Sequence, residues 1–179
     1  MTFEFNLKGK GLGAIAAMAL TVLVSAFLVS LTALAQNTNQ TPNIVGTWVL
    51  AAADKFLPDG TRVSDYGENP HGLVIFTSDG YYSLQIYRAE RLKFSSGDKF
   101  DGTPEEYKDA SLSMSVSFGR YNFDPVKGTI TFHIDRSSVP NRDDTTSVRS
   151  VELKGDTLSW KVNARKDGSV PITVLRRAK

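Results

Sequence analysis

Leu73-Val-Ile-Phe-Thr77, Ser78-Asp-Gly80 and Tyr81-Tyr-Ser-Leu-Gln-Ile-Tyr87 decide the fold. Two runs rich in β-branched and aromatic residues flank Asp-Gly, a pair that accepts the positive φ angles a tight hairpin demands. Working outward, the same grammar repeats. Ile44–Ala52 alternates, with Ile44, Gly46, Trp48 and Leu50 on one face, and Leu57-Pro-Asp-Gly60 follows as a turn. Downstream, Ser115–Asp124 and Thr129–Arg136 flank Pro125-Val-Lys-Gly128, and Thr145–Lys154 and Thr157–Ala164 flank Gly155-Asp156. Lys166-Asp-Gly168 leads into Val170–Arg176. Eight short strands joined by tight turns predict an all-β chain: an up-and-down antiparallel barrel, with a β-sandwich as the rival. Barrel closure has the further merit of leaving no edge strand in solvent.

One segment interrupts the strands. Thr103-Pro-Glu-Glu-Tyr107 combines an N-cap residue, a proline at the first helical position and acids in the first turn. A short helix over Pro104–Leu112 follows, expected to cover one end of the sheet.

Before the strands lies a different composition. Lys8 and Lys10 precede a stretch from Leu12 to Ala35 without a single charge, ending in Ala33-Leu-Ala35. A basic start, an apolar stretch and small residues at −3 and −1 are the layout of a secretory signal, with Gln36 as the mature N-terminus. The alternative is an uncleaved membrane anchor over residues 12–35, since about 20 apolar residues can span a bilayer. The domain plan is therefore a signal or anchor helix in 1–35, a polar leader in 36–43, and a β-barrel in 44–179. An exported chain without cysteine has no disulfide and must rest on a packed core. Residues 36–179 are long enough for one such core.

Charge and motifs exclude several classes. A net charge of +2 at pH 7 gives no reason to expect nucleic acid or an anionic membrane surface as partner. Two histidines and no cysteine give no zinc pattern, the acidic clusters lack calcium-loop spacing, and no phosphate-binding loop, dinucleotide fingerprint or nucleophile elbow is present. No cofactor or metal is expected, and a monomer is favoured.

Gly46-Thr-Trp48 lies in the first strand and Arg176 ends the last. In a closed barrel these strands are neighbours, so Arg176 is expected across the Trp48 ring as a cation–π plug. His133 alternates with Ile130, Phe132 and Ile134, sharing its face with Thr129, Thr131 and Asp135. Turned inward, it could bond to a ligand or act as an acid or base near neutral pH; turned outward, it is solvated. Arg149, with Ser147 and Val151 on its face, would need Asp135, Glu152 or a ligand carboxylate if buried. Tyr121 and Asn141 are further polar candidates.

Taken in order, Gly46-Thr-Trp48, Pro70-His-Gly-Leu73 with Ser78-Asp-Gly80, Phe118-Gly-Arg-Tyr121, Gly128-Thr-Ile-Thr-Phe-His-Ile134, Ser137-x-x-Pro-Asn141, Arg149-x-Val-Glu-Leu153 and Gly155-Asp156 resemble the bacterial and fungal lipocalin-like domain family. The resemblance spans about residues 44–177. It implies an eight-stranded calyx holding a small apolar or amphiphilic molecule. It does not require the export segment, which argues against a cytoplasmic biosynthetic role. Three functions follow: a ligand-binding barrel using His133, Arg149, Tyr121 and Asn141; an isomerase or cyclase with His133 as its acid–base group; or a filled envelope module. An internal cavity above about 300 Å³ would separate the first two from the third.

Overall fold

Alternating burial along each strand builds a single wall that closes on itself. The computed structural model describes residues 43–179; the signal or anchor segment and nearly all of the polar leader lie outside the described residues. In chain order the elements are β1 (Gly46–Phe56), β2 (Arg62–Ser64), β3 (His71–Phe76), β4 (Tyr81–Tyr87), α1 (Pro104–Leu112), β5 (Met114–Asp124), β6 (Thr129–Ser137), β7 (Thr145–Lys154), β8 (Thr157–Lys161) and β9 (Val170–Arg177). Neighbours pair antiparallel in the order β1-β3-β4-β5-β6-β7-β8-β9, and β9 returns to β1, so eight strands make a closed barrel. The ninth, three-residue β2, hangs on the far end of β1 through pairs such as Lys55 with Val63. It is not among the expected strands, because Arg62-Val-Ser64 is too short and too polar for a period to show.

The inward positions form the core. Trp48, Val74, Phe76, Tyr82, Leu84, Ile86, Ile130, Phe132, Ile134, Leu158, Trp160 and Leu175 are all buried. Aromatic rings fill one half of the barrel edge to face: Tyr121 on Phe76 at 4.8 Å, Tyr82 on Phe132 at 4.8 Å, and Phe132 on Trp160 at 5.8 Å between centroids. Such offset contacts suit the ring quadrupole.

Two bulges bend the wall. Between β5 and β6 the register slips at Phe118/Gly119. A Cβ on Gly119 would stand 2.1 Å from the His133 carbonyl oxygen, so the residue at this bulge must be glycine. The second slip, at Leu50/Ala52, lets long β1 pair with β3 at its start while running along β9 to its end.

α1 matches its expected limits and carries a full capping box: the Thr103 hydroxyl accepts from the Glu106 amide, and the Glu106 carboxylate accepts from the Thr103 amide at 2.7 Å. It is tied to the barrel by Arg88–Asp109 at 3.0 Å and by Arg91 Nε donating to Ser113 Oγ at 2.9 Å. Among the described residues no helix is long and apolar enough to cross a membrane.

Candidate functional site: a cavity over a buried arginine

One end of the barrel is shut. Trp48 is fully buried, and its indole Nε1 donates to the Ile44 carbonyl at 2.8 Å. The guanidinium over its ring, 4.2 Å from the centroid, belongs to Arg177 and not to Arg176. Arg177 also donates to the Val45 and Asn43 carbonyls at 2.9 and 2.8 Å. The reason is parity. Thr173, Leu175 and Arg177 share the inward face of β9, whereas Arg176 points to solvent. Gly46, at φ 124°, leaves room for the guanidinium; a Cβ there would sit 3.3 Å from Arg177 Nη1.

The other half of the barrel holds a cavity of about 250 Å³. That is below the roughly 300 Å³ at which drug-sized pockets begin, but it is space left inside the wall. Leu84, Ile86, Ala53 and Ile172 give it apolar walls, and Ser115, Ser117 and Thr173 add hydroxyls. It reaches the surface where Val139, Asn163 and Arg165, all exposed, border it. At the rim Asp65 receives two hydrogen bonds from Arg165 and an ion pair from Lys55 at 3.3 Å. Burial raises the Asp65 pKa, but these two cations outweigh it and hold the carboxyl below its usual range.

Arg149 projects into this cavity. It is 8% exposed and lies above the aromatic ladder, its guanidinium 4.7 Å from the Phe132 centroid and 5.8 Å from that of Trp160. Neither carboxylate named from the sequence reaches it: Asp135 is exposed on the outer face, and Glu152 pairs with Lys154 at 2.5 Å. Its Nε is buried with no hydrogen-bond partner, and among the described residues no side chain forms an ion pair with it. Burial, reinforced by the charge of Arg142, lowers its pKa to about 10. It therefore remains protonated at neutral pH.

The other sequence candidates fall elsewhere. His133 is exposed on the outer wall, with Nδ1 3.2 Å from Thr146 Oγ1, so it does not share a cavity with Arg149. The expected His133–Arg149 pair is thereby overturned. The apolar face of β6 points inward because the aromatic packing of the closed half requires Ile130, Phe132 and Ile134, leaving the polar set to solvent. Tyr121 donates its hydroxyl to the Thr77 carbonyl at 2.8 Å and packs on Phe76, at the closed half and away from the cavity. Asn141 is exposed in the 3-10 turn Pro140–Arg142, but its neighbour Arg142 lines the cavity. Sequence reasoning missed Arg142, for a cation in a turn carries no facing signal; it also missed Tyr66, which lines the cavity from beyond β2. Among the described residues no group of three or more His, Asp or Glu side chains could hold a metal ion.

The sequence pattern of the lipocalin-like domain matches residues 45–178. The chain belongs to the lipocalin-like domain family. No curated protein matches it. Among solved structures, this lipocalin-like chain is similar to a lipocalin-like protein from Bacteroides uniformis, at 14% identity and TM-score 0.39, covering 75% of this chain and 98% of that one. It is also similar to a redesigned β-barrel, at 15% identity and TM-score 0.38, over 76% and 92% of the two chains. A third is a single-substitution mutant of the fluorescent protein UnaG, at 18% identity and TM-score 0.34, over 75% and 96%.

Proposed function

We propose that this protein is an exported lipocalin-like barrel that holds one small hydrophobic or amphiphilic molecule in the cavity above Phe132 and Trp160. The observation that carries the reading is the cavity itself: Leu84, Ile86, Ala53 and Ile172 and the hydroxyls of Ser115, Ser117 and Thr173 surround one buried, unpaired charge, Arg149. At about 250 Å³ the space is smaller than the roughly 300 Å³ that would by itself separate a binder from a filled module, so the reading rests on the uncompensated Arg149 beside it and not on its size. The family supports the same reading. The isomerase or cyclase alternative has lost its acid–base group, because His133 faces solvent and the rim carboxylate Asp65 is committed to Arg165 and Lys55. Native mass spectrometry of protein purified from its own host tests the proposal. A co-purifying small molecule is expected, displaced when the cavity is filled by Ala53→Phe and retained in His133→Ala. A molecule retained by the filled variant would place binding outside the barrel and end this reading.

A further inference from the structure

Arg149 and Arg142 are two cations that border one small cavity, and no ion pair to either exists among the described residues. Arg149 is the harder to explain without a ligand. It is more than nine-tenths buried, and its Nε has no acceptor. The rings beneath it offer only their faces, and a π-face is a much weaker partner than an oxygen. The carboxylates near the opening are already paired. Asp65 is held by Arg165 and Lys55, and Asp54 by Arg62 at 2.6 Å. The surplus charge of the cavity is therefore positive, and Arg149 is its buried cation.

We propose that the ligand is an organic anion, a carboxylic acid bound head-first, its carboxylate seated on the Arg149 guanidinium and its apolar part toward the rim. This assignment of ligand class rests on the cavity-binding reading above. The guanidinium fork matches a carboxylate in plane and spacing. Arg142 adds a second positive charge to the same space, and the Ser117 hydroxyl, which accepts from Tyr82 Oη at 3.3 Å, has its own proton left to donate. Leu84, Ile86, Ala53, Ile172 and Val162 then surround the body of the ligand. A neutral ligand of the same shape would leave the guanidinium unneutralised, so discrimination comes from the charge and not from the walls.

The test compares 2-naphthoate with its neutral near-isostere 2-naphthamide by titration calorimetry, using the wild-type protein, Arg149→Met and Arg149→Lys. Naphthoate is expected to bind the wild type at least tenfold more tightly than the amide. In Arg149→Met the preference should fall below twofold while the amide still binds, and Arg149→Lys should retain part of it. Equal binding of acid and amide by the wild type would overturn the anion assignment and leave cavity binding standing. No binding of either compound at millimolar concentration would overturn both. A preference that survives Arg149→Met places the anion elsewhere and overturns the proposal. So does failure of both variants to fold by circular dichroism, which would make Arg149 a structural residue.

Discussion

Arg149 is costly where it stands. Lowering its pKa from the ordinary arginine range to about 10 corresponds, at about 1.36 kcal/mol per pKa unit, to roughly 3 kcal/mol withheld from the folded state. The sign follows from protonation. The unfolded chain holds this proton more tightly, so the penalty is present in full at every pH below about 10 and fades only as the folded group loses its proton. Removing the charge while keeping the volume should therefore stabilise the empty protein. Arg149→Met is expected to raise stability by about 1–3 kcal/mol in urea denaturation at pH 7. A loss of stability instead would mean that the cation–π contacts with Phe132 and Trp160 outweigh desolvation. Trp48 is the opposite case: a large ring with its N–H satisfied and Arg177 stacked on it. Trp48→Ala should cost about 3–5 kcal/mol, read by the same denaturation curves.

At the scale of elements, the Lys55–Asp65–Arg165 cluster joins β1, the segment after β2 and the segment after β8 across the cavity opening. Asp65 titrates lower in the folded state than in the unfolded chain, so its contribution is complete above the ordinary carboxylate pKa near 4 and disappears as pH falls through its depressed folded value. Amide exchange at the rim, around Asn163 and Tyr66, taken relative to its intrinsic rate at each pH, should accelerate below about pH 4 in the wild type. In Asp65→Asn it should already be fast at pH 7, and unchanged exchange in that variant would show that the cluster does not hold the rim. Elements are also what the sequence makes most legible. β4, β7 and α1 stand at their expected limits, because alternation and capping are local signals. Facing is harder. Alternation separates His133 from Phe132, but which set points inward depends on what fills the barrel, and that is set by rings from β3, β4 and β8. Ending β9 one residue early selects Arg176; carrying the Leu175 face two residues on names Arg177. Arg142 has no signal at all, since the turn that aims it has no period.

For the whole molecule, the lipocalin-like barrel occupies the described residues, and the export proposal rests on the sequence before it. Sequencing the N-terminus of envelope-fraction protein should return Gln36 as the first residue. An intact Met1 in the membrane pellet would identify an anchor instead. The seam between β1 and β9 bears on how such a chain reaches its shape. Eight residue pairs join the first strand to the last, and Arg177 is fastened to the main chain at Asn43 and Val45. These partners lie more than a hundred positions apart, so the wall cannot close until the final strand has left the ribosome. Until then the nascent polypeptide is an open ribbon, with Trp48 uncovered and β1 lacking its long partner. Under the export proposal, that delay is an interval in which translocation can begin before folding makes the cargo too wide to thread.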